Sequence, residues 1–487
     1  MNKIALVATL LLGGAGLYTA ASGYTGGRIA STLPERVAQG DLALQQALPG
    51  SRLTLERLER GLFSSTAHYQ LSLMAPTHGG AAHRLHLTST IEHGPLPRSR
   101  LLRLQWQPVL AFSRSQLRET PDTRAWFVAT GKAQEPLSAE LTLAYDGSYQ
   151  GTLRIAPLDH NASPKRLRLA ELLFNYRFSN ATQALDLTVT TPSLILGEKG
   201  ETLRLNGLHI ALEGRQALQQ IALRTQLDSL SISTRMSQQL SEWRLSALSL
   251  DSQRQRQPSG LYTGSSRLSI RQGELLQAKQ STWVHEDLQL QEQMRERDGM
   301  LEGSLEQHIA QIRHQGEAFA SSRLRLSYSG LPSHWLLATP KTEQPSPDPA
   351  PVASSVPLRI ALDEGRLASR HGLGLLSLEA ELNPAQLPKG VEAVSGCPAS
   401  RLQSLRGELS VDRALLVDLL RVQASTLPQS RPSEEQVQAQ VDLLIQQALS
   451  SHMAVREGER LFSRLQYREG RLLLNGEPIS ALCPPTP

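Results

Sequence analysis

The sequence predicts a mainly β protein with C-terminal helices (α+β). We expect an N-terminal transmembrane helix and then an extended antiparallel sheet, arranged as an open groove or a sandwich. Three observations predict this fold: residues 4–22 carry no charge, residues 50–335 alternate apolar and polar side chains, and helical spacing appears beyond residue 413. With 40% hydrophobic and 20% charged residues, the 487-residue chain has the composition of a folded protein.

The N-terminal segment predicts where the protein resides. As a helix, residues 4–22 would span about 28 Å, close to the hydrocarbon thickness of a bilayer. Lys3 and the α-amino group precede this span, which favours a cytoplasmic N-terminus and an exported body. The alternative is a signal peptide cleaved near Thr19-Ala20-Ala21. Either interpretation places the body in the periplasm of a bacterium.

A joint and a short helix are predicted after the membrane segment. Thr25-Gly26-Gly27 indicates a flexible joint at the membrane exit. In residues 33–50, Val37, Leu44 and Leu48 fall at helical spacing, which predicts a short amphipathic helix.

Residues 50–335 predict a long series of antiparallel strands. Leucines alternate with charged or hydroxyl residues in stretches such as RLTLERLER (52–60) and RLLRLQWQPVLAF (100–112). Asp146-Gly147 and Asp298-Gly299 suit two-residue hairpin turns. A helix is the alternative for residues 286–312. Such alternation is typical of sheets with one wet face, so the apolar face requires a cover.

The C-terminal part combines helices with a hairpin. Residues 413–424 are amphipathic, and Ser433 and Gln436 form a capping box for a second helix. Its predicted apolar stripe comprises Val437, Val441, Leu444 and Ala448. A hairpin turns near Glu469-Gly470.

The proline-rich residues 340–357 predict a linker or loop. The predicted division is a cytoplasmic tip (1–3), a transmembrane anchor (4–22), a periplasmic β-rich domain (23–339), the linker or loop (340–357) and a C-terminal α+β region (358–487).

Charge and aromatic content argue against nucleic acid as a partner. The net charge of +5 is spread over the chain, and basic residues stand singly between acids and leucines. Aromatic residues make up 4%, too few for a base-stacking platform.

The chain has two cysteines, Cys397 and Cys483, and neither belongs to a metal-binding spacing. In an oxidising compartment they are candidates for one disulfide, with two free thiols as the alternative.

Glu92 and His93 raise the question of an acid–base pair. Adjacent side chains on a strand point to opposite faces, so the two cannot easily converge on one atom. Gly94-Pro95 indicates a strand end and turn instead. His83 and His86 have a helical spacing inside a strand pattern, which disfavours a metal site. We predict no catalytic, metal or cofactor-binding residues, and hence no enzyme.

Four short segments resemble the YdgA-like family of Gram-negative bacterial proteins. They are YTGGRI (24–29), RGLFSS (60–65), EHGP (92–95) and LQYREGRLLLNG (465–476). The residues that carry the resemblance are Tyr24, Gly26, Gly27, Arg60, Gly61, Phe63, Ser64, His93, Gly94, Pro95, Asn475 and Gly476. We expect Phe63 to be a core anchor. The resemblance implies a single-pass inner-membrane protein with a periplasmic β-rich body, and it implies no established activity.

The expected function is binding of a lipid or another hydrophobic partner along the apolar sheet face. The alternative is an oligomeric envelope scaffold or assembly factor that acts through protein–protein contacts. The expected partners are thus the inner membrane through residues 4–22, a lipid or envelope protein, and a second copy of the chain, with no cofactor.

Overall fold

The computed structural model describes residues 3–73, 83–131, 135–162, 165–198, 200–236, 239–277, 280–336, 356–383, 402–425, 433–468 and 471–479. It divides into two compact units, Met1–Gln219 (unit 1) and Gln220–Pro487 (unit 2). Cys397, Cys483 and nearly all of the linker 340–357 lie outside the described residues, so the disulfide and the predicted domain division stay predictions.

Unit 1 is an antiparallel sheet with three helices. Its elements are α1 (Lys3–Ala47), β1 (Arg52–Arg60), β2 (Ser64–Leu73), β3 (His83–His93), α2 (Arg98–Leu102), β4 (Ala111–Leu117), α3 (Arg124–Thr130), β5 (Leu137–Leu143), β6 (Tyr149–Ile155), β7 (Leu158–Ala162), β8 (Lys165–Leu169), β9 (Leu172–Ser179), β10 (Ala184–Glu198) and β11 (Glu201–Arg215). The strand order is β1-β2-β3-β4-β5-β6-β9-β10-β11, and the hairpin β7-β8 pairs with the second half of β10.

Helix α1 corrects the predicted joint and the predicted separate second helix. One helix runs from Lys3 to Ala47, with Pro34 inside it. Its second half packs on the sheet, where Ile29 joins a buried cluster with Ala67, Ile91 and Ala111. The helix therefore runs unbroken through residues 25–27, where the sequence suggested a flexible joint. Of the helices in the described part of the chain, none is both long and apolar enough to cross a bilayer.

Unit 2 contains the long strands and two C-terminal helices. Its elements are β12 (Gln220–Met236), β13 (Gln239–Arg256), β14 (Tyr262–Gln277), β15 (Gln280–Arg297), β16 (Met300–His314), β17 (Glu317–Pro332), a 3₁₀ turn (Ser333–Trp335), β18 (Leu358–Ser369), β19 (Leu373–Leu382), β20 (Leu402–Asp412), α4 (Arg413–Ser425), α5 (Glu434–Ser450), β21 (Val455–Glu457), β22 (Arg460–Arg468), β23 (Arg471–Leu474) and β24 (Glu477–Pro478). Strands β12 to β20 pair in chain order, followed by β22, β23 and β24, and β21 also pairs with β22.

The prediction of a large antiparallel sheet is confirmed. Asp298 and Gly299 both have positive φ, 52° and 75°, and join β15 to β16 as the sequence predicts, so residues 286–312 are not a helix. The strand predicted across residues 100–112 is wrong, because α2 occupies its beginning and β4 starts only at Ala111.

The two-residue turn predicted at Asp146-Gly147 is also wrong. The strands end at Leu143 and resume at Tyr149, so the connection has five residues. The Asp146 carboxylate accepts hydrogen bonds from the Ser148 backbone and hydroxyl, both at 2.9 Å. These bonds stabilise the longer loop.

The C-terminal helices follow the sequence closely. Helix α4 begins at the predicted residue, and Ser433 and Gln436 form the predicted capping box of α5. The buried stripe of α5 contains Val437, Val441 and Ile445, which are spaced four apart. Leu444 was predicted in this stripe but is 47% exposed, because it lies one position away from it.

Near the end of the chain, the structure describes one tight turn and the strands on either side of a second predicted one. The turn near Glu469-Gly470 lies outside the described residues, although Arg468 and Arg471 on either side of it pair across β22 and β23. Asn475 and Gly476, with φ of 53° and 89°, connect β23 to β24. The Asn475 side chain also accepts a hydrogen bond from the Arg464 backbone at 2.8 Å.

Removing the α5 cap should weaken the start of this helix. We expect Ser433→Ala to cost about 1 kcal/mol, because the Gln436 amide loses its acceptor. Hydrogen exchange of the first-turn amides of α5 measures the effect. Ser450→Ala, at the other end of the helix, is the control. Equal protection in both variants would contradict the assigned cap.

Candidate functional site

At the end of strand β3, two adjacent side chains point to opposite faces of the sheet. Glu92 and His93 pair with Phe112 and Ala111 of β4, and their side chains lie on opposite faces of the sheet. His93 is 1% exposed and lies beneath α1. Glu92 contacts Ser99 of α2. The strand end therefore holds a different helix on each face.

His93 is held as a neutral ring. Its Nε2 is 2.9 Å from the Ser65 hydroxyl, and its Nδ1 is 3.1 Å from the Leu62 carbonyl. Since a carbonyl only accepts, Nδ1 carries the proton and Nε2 accepts from Ser65. Burial lowers the pKa of His93, and the nearby Arg60 charge lowers it further. The ring is suited to a structural contact.

Small residues of α1 approach this strand end closely. The hydroxyls of Ser22 and Thr25 both donate to the Gly94 carbonyl, at 2.9 and 3.2 Å. A Cβ at Gly26 would overlap the His93 ring. Gly26 therefore permits close packing where the sequence suggested flexibility.

Arg60 adds a second link between the helix and the sheet. Its Nη2 donates to the Gly23 carbonyl at 3.0 Å, and a Cβ at Gly27 would lie 3.2 Å from the same nitrogen. We call this set of contacts the helix–sheet junction, which comprises Ser22, Gly23, Thr25, Gly26, Gly27, Arg60, Leu62, Ser65, His93 and Gly94.

The structure thus brings three of the four quoted segments together: 24–29, 60–65 and 92–95. Gly61 and Ser64 close the turn between β1 and β2, with the Gly61 amide 2.8 Å from the Ser64 carbonyl. Phe63 is 47% exposed, so its expected role as a core anchor is wrong. Its carbonyl accepts from the His93 amide instead.

Other residues of these segments lie elsewhere. Tyr24 is exposed on α1, and Pro95 follows Gly94 through a cis peptide bond. Asn475 and Gly476 belong to unit 2. Sequence reasoning missed Ser22 and Thr25, although small residues at 22, 23, 26 and 27 mark one face of α1.

On the other face, Glu92 fixes a short helix over the sheet. Its carboxylate accepts from the Ser99 amide at 2.8 Å and also from the Ser99 hydroxyl. Helix α2 thus lies beside two mainly polar rows, one across β4, β5, β6, β9 and β10 and one across β5, β6, β9 and β10. The rows are Phe112, Thr142, Gln150, Arg177 and Asp186, and then Glu140, Thr152, Asn175 and Thr188.

These rows and α2 enclose a groove of about 450 Å³, which we call the polar groove. Within it, Arg103 contacts Glu140 at 2.7 Å through two nitrogens, and Arg114 approaches the same carboxylate at 3.0 Å. These hydrogen bonds and charges lower the pKa of Glu140 to about 2, so it is ionised at neutral pH. Arg100, which is 7% exposed, also lines the groove.

A second feature, in unit 2, is a face of the sheet that carries two long apolar rows. Residues in register across β12 to β16 form one row: Leu227, Leu248, Ile270, Leu288 and Ile309. A second row crosses β16 to β23: Leu305, Leu326, Leu362, Leu378, Gly407, Leu465 and Leu474. Leu305 and Ile309 lie on the same side of β16 with Gln307 between them, so both rows belong to one surface, which we call the apolar face.

The C-terminal helices cover one end of the apolar face. A Cβ at Gly374 would lie 2.7 Å from Leu415 of α4, and Leu461 joins the cluster between α4 and α5. Beyond this end Leu227 and Ile270 are buried within the sheet surface, the other leucines of the rows are half-buried, and Leu378 is 40% exposed. Strands β12–β16 contact chiefly their neighbours in the sheet, as far as the described residues show.

The described residues contain no cluster of metal-binding side chains. There, no three His, Cys, Asp or Glu side chains lie close enough together to hold a metal ion. The Nδ1 atom of His86 lies 3.4 Å from the Glu56 carboxylate. The side chain of His83 is not among those that the structure describes.

Comparison with known proteins gives a family but no activity. A family model described as "Bacterial protein of unknown function (DUF945)" matches residues 1–242, 180–336 and 356–481. Protein YdgA of Escherichia coli K12 is 22% identical over 197 residues, which is 39% of this chain and 38% of that protein. An uncharacterised Haemophilus influenzae protein is 28% identical over 151 residues, 30% of this chain and 38% of that protein. The matches thus span well under half of each relative, and no solved structure matches.

A side chain at Gly26 should loosen the helix–sheet junction. We expect Gly26→Ala to cost about 1–3 kcal/mol, because the new methyl group overlaps the His93 ring. Gly40→Ala is the matched control in the same helix, since its methyl group meets Leu53 only at 3.7 Å. It should be neutral or stabilising by up to about 1 kcal/mol. Hydrogen exchange along α1 measures both, and equal effects would contradict the packing described.

Acid should weaken the same junction. In the unfolded chain, His93 binds a proton as the pH falls through about 6.5, whereas burial keeps the ring neutral in the folded protein. The contribution of His93 to the free energy of unfolding is therefore present above this pH and declines below it. The decline is at most about 1.4 kcal/mol per pH unit. Exchange of α1 amides at pH 7.5 and 5.5, corrected for intrinsic rates, measures it. His93→Gln should remove the difference, and a variant that keeps it would show that another group titrates.

Proposed function

The chain belongs to the DUF945 family of bacterial proteins of unknown function, and we propose that it is a non-enzymatic envelope protein that binds lipid acyl chains along its apolar face. The E. coli relative agrees with the resemblance to YdgA-like proteins that the sequence motifs indicated. Neither comparison carries an activity, so the proposal rests on the surface chemistry of unit 2.

The extent of the two apolar rows is the observation that carries this proposal. Its rows cross eleven strands, and strands lie about 4.8 Å apart, which gives roughly 48 Å along the sheet. One leaflet of a bilayer has a hydrocarbon depth of about 15 Å. The face therefore offers contact for more than one acyl chain.

Burial of the exposed leucines supplies the driving force. Each methylene group removed from water contributes about 0.8 kcal/mol to the free energy of binding. The exposed parts of Leu376, Leu378 and Leu409 also leave water when an acyl chain covers them, which adds to this free energy. Contiguous apolar surface of this extent is unusual on a monomer and commonly marks an interaction site. Acyl chains suit it because they are linear and need no hydrogen-bonding partner.

The proposed location is the inner membrane, with the N-terminus in the cytoplasm and the body in the periplasm. The support is in the sequence: residues 4–22 carry no charge and follow Lys3. An anchor at this end would keep unit 2 close to a source of lipid.

A second copy of the chain is the other occupant that would cover the same leucines. This is the scaffold alternative, in which the apolar faces of two chains pack together. Mass distinguishes the two occupants, because native mass spectrometry of the full chain separates a monomer with bound lipid from a lipid-free dimer. A lipid-free dimer would favour the scaffold and contradict the lipid proposal.

Polar substitutions on the apolar face should reduce bound lipid. We expect Leu326→Gln with Leu378→Gln to cost about 1 kcal/mol for each leucine, and thus about tenfold or more in lipid affinity. The control carries Ser327→Gln and Ser377→Gln, the adjacent positions on the opposite face. Phospholipid extracted per mole of the purified full chain is the measurement. Equal lipid in the two variants would contradict the proposal.

A further inference from the structure

The polar groove of unit 1 contains a buried guanidinium group without an anionic partner. Arg100 is 7% exposed, and its Nη1 donates to the Thr142 hydroxyl at 3.3 Å. Its buried Nε has no hydrogen-bond partner among the described residues, and none of their carboxylates lies within ion-pair distance of it. Burial of an unpaired charge is costly, so this group would gain from a negatively charged neighbour.

The carboxylates of the groove are already engaged elsewhere. Glu140 is held by Arg103 and Arg114, at 2.7 and 3.0 Å. Asp186 is held by Arg215 at 2.6 Å. Neither acid contacts Arg100, so the protein itself leaves the positive charge of Arg100 uncompensated in this groove.

Four other residues that line the groove can donate hydrogen bonds to the oxygen atoms of a ligand. Thr152 contributes a hydroxyl, Gln150 and Asn175 contribute amides, and Arg177 contributes a second guanidinium group. All four lie on the two polar rows that form the groove floor. The volume of about 450 Å³ leaves room for an anionic group together with a polar body.

We propose that the polar groove binds the phosphate group of an anionic ligand, with Arg100 as its principal cationic contact. A guanidinium group donates two parallel hydrogen bonds to phosphate oxygens, and the hydroxyl and amide donors of the floor suit the remaining oxygens. The phosphate belongs either to a lipid headgroup or to a soluble phosphate ester, since both present the same oxygens.

The test uses the full chain in an uncharged detergent. Inorganic phosphate and glycerol 3-phosphate are titrated by calorimetry, and phosphatidylglycerol in mixed micelles serves as competitor. We expect saturable binding that weakens as salt is raised. Displacement by phosphatidylglycerol assigns the site to a headgroup, and binding without displacement assigns it to a soluble ester.

Four variants separate this site from general charge effects. Arg100→Gln and Asn175→Asp should each weaken glycerol 3-phosphate binding at least tenfold, the first by removing the cation and the second by adding a negative charge. Arg168→Gln is the matched control, because this arginine lies on β8 beside Asp159, and neither residue lines the groove, so binding should stay within twofold. Leu378→Gln in unit 2 should also leave the binding unchanged.

Two results would overturn the proposal. One is the absence of saturable binding of either probe to the unmodified chain. The other is a folded Arg100→Gln variant that binds as the unmodified chain does. If that variant does not fold, as judged by circular dichroism, unchanged affinity of Asn175→Asp overturns the proposal instead.

Discussion

Alternation of side chains across antiparallel strands is the constraint on which the rest of this structure depends. Because successive residues point to opposite faces, Glu92 and His93 hold α2 on one side of the unit 1 sheet and α1 on the other. The same alternation in unit 2 places leucines in register across eleven strands. One local rule therefore separates a polar surface from an apolar one in both units.

Close approach at glycines allows bulky groups to lie flat on these sheets. A Cβ at Gly151 would be 2.5 Å from the Tyr176 hydroxyl, and one at Gly303 would be 2.6 Å from the Tyr328 hydroxyl. In each unit a tyrosine on the neighbouring strand thus covers a glycine, a pairing that compensates for the missing side chain. Burial raises the pKa of both tyrosines, so both stay protonated at neutral pH. The Gly26 contact with His93 follows the same principle between a helix and a strand.

Local signals predicted the features that depend on neighbours in the chain. The alternating leucines predicted the sheet, Asp298-Gly299 predicted its turn, and Ser433 predicted the cap of α5. Features that depend on distant residues were missed. Gly26 was interpreted as a joint because its contact, His93, is far away in the sequence, and Arg100 gave no signal because its environment is made by β5, β6 and β9.

We propose that the apolar face of unit 2 is a surface for acyl chains. Photocrosslinking tests it most directly, with a phospholipid that carries a photoreactive group on its acyl chain and with the full-length protein. Mass spectrometry then maps the labelled residues. We expect labels on the face formed by the rows from Leu227 to Ile309 and from Leu305 to Leu474. Labels spread equally over both faces of β12–β23, or confined to the opposite polar face, would contradict it.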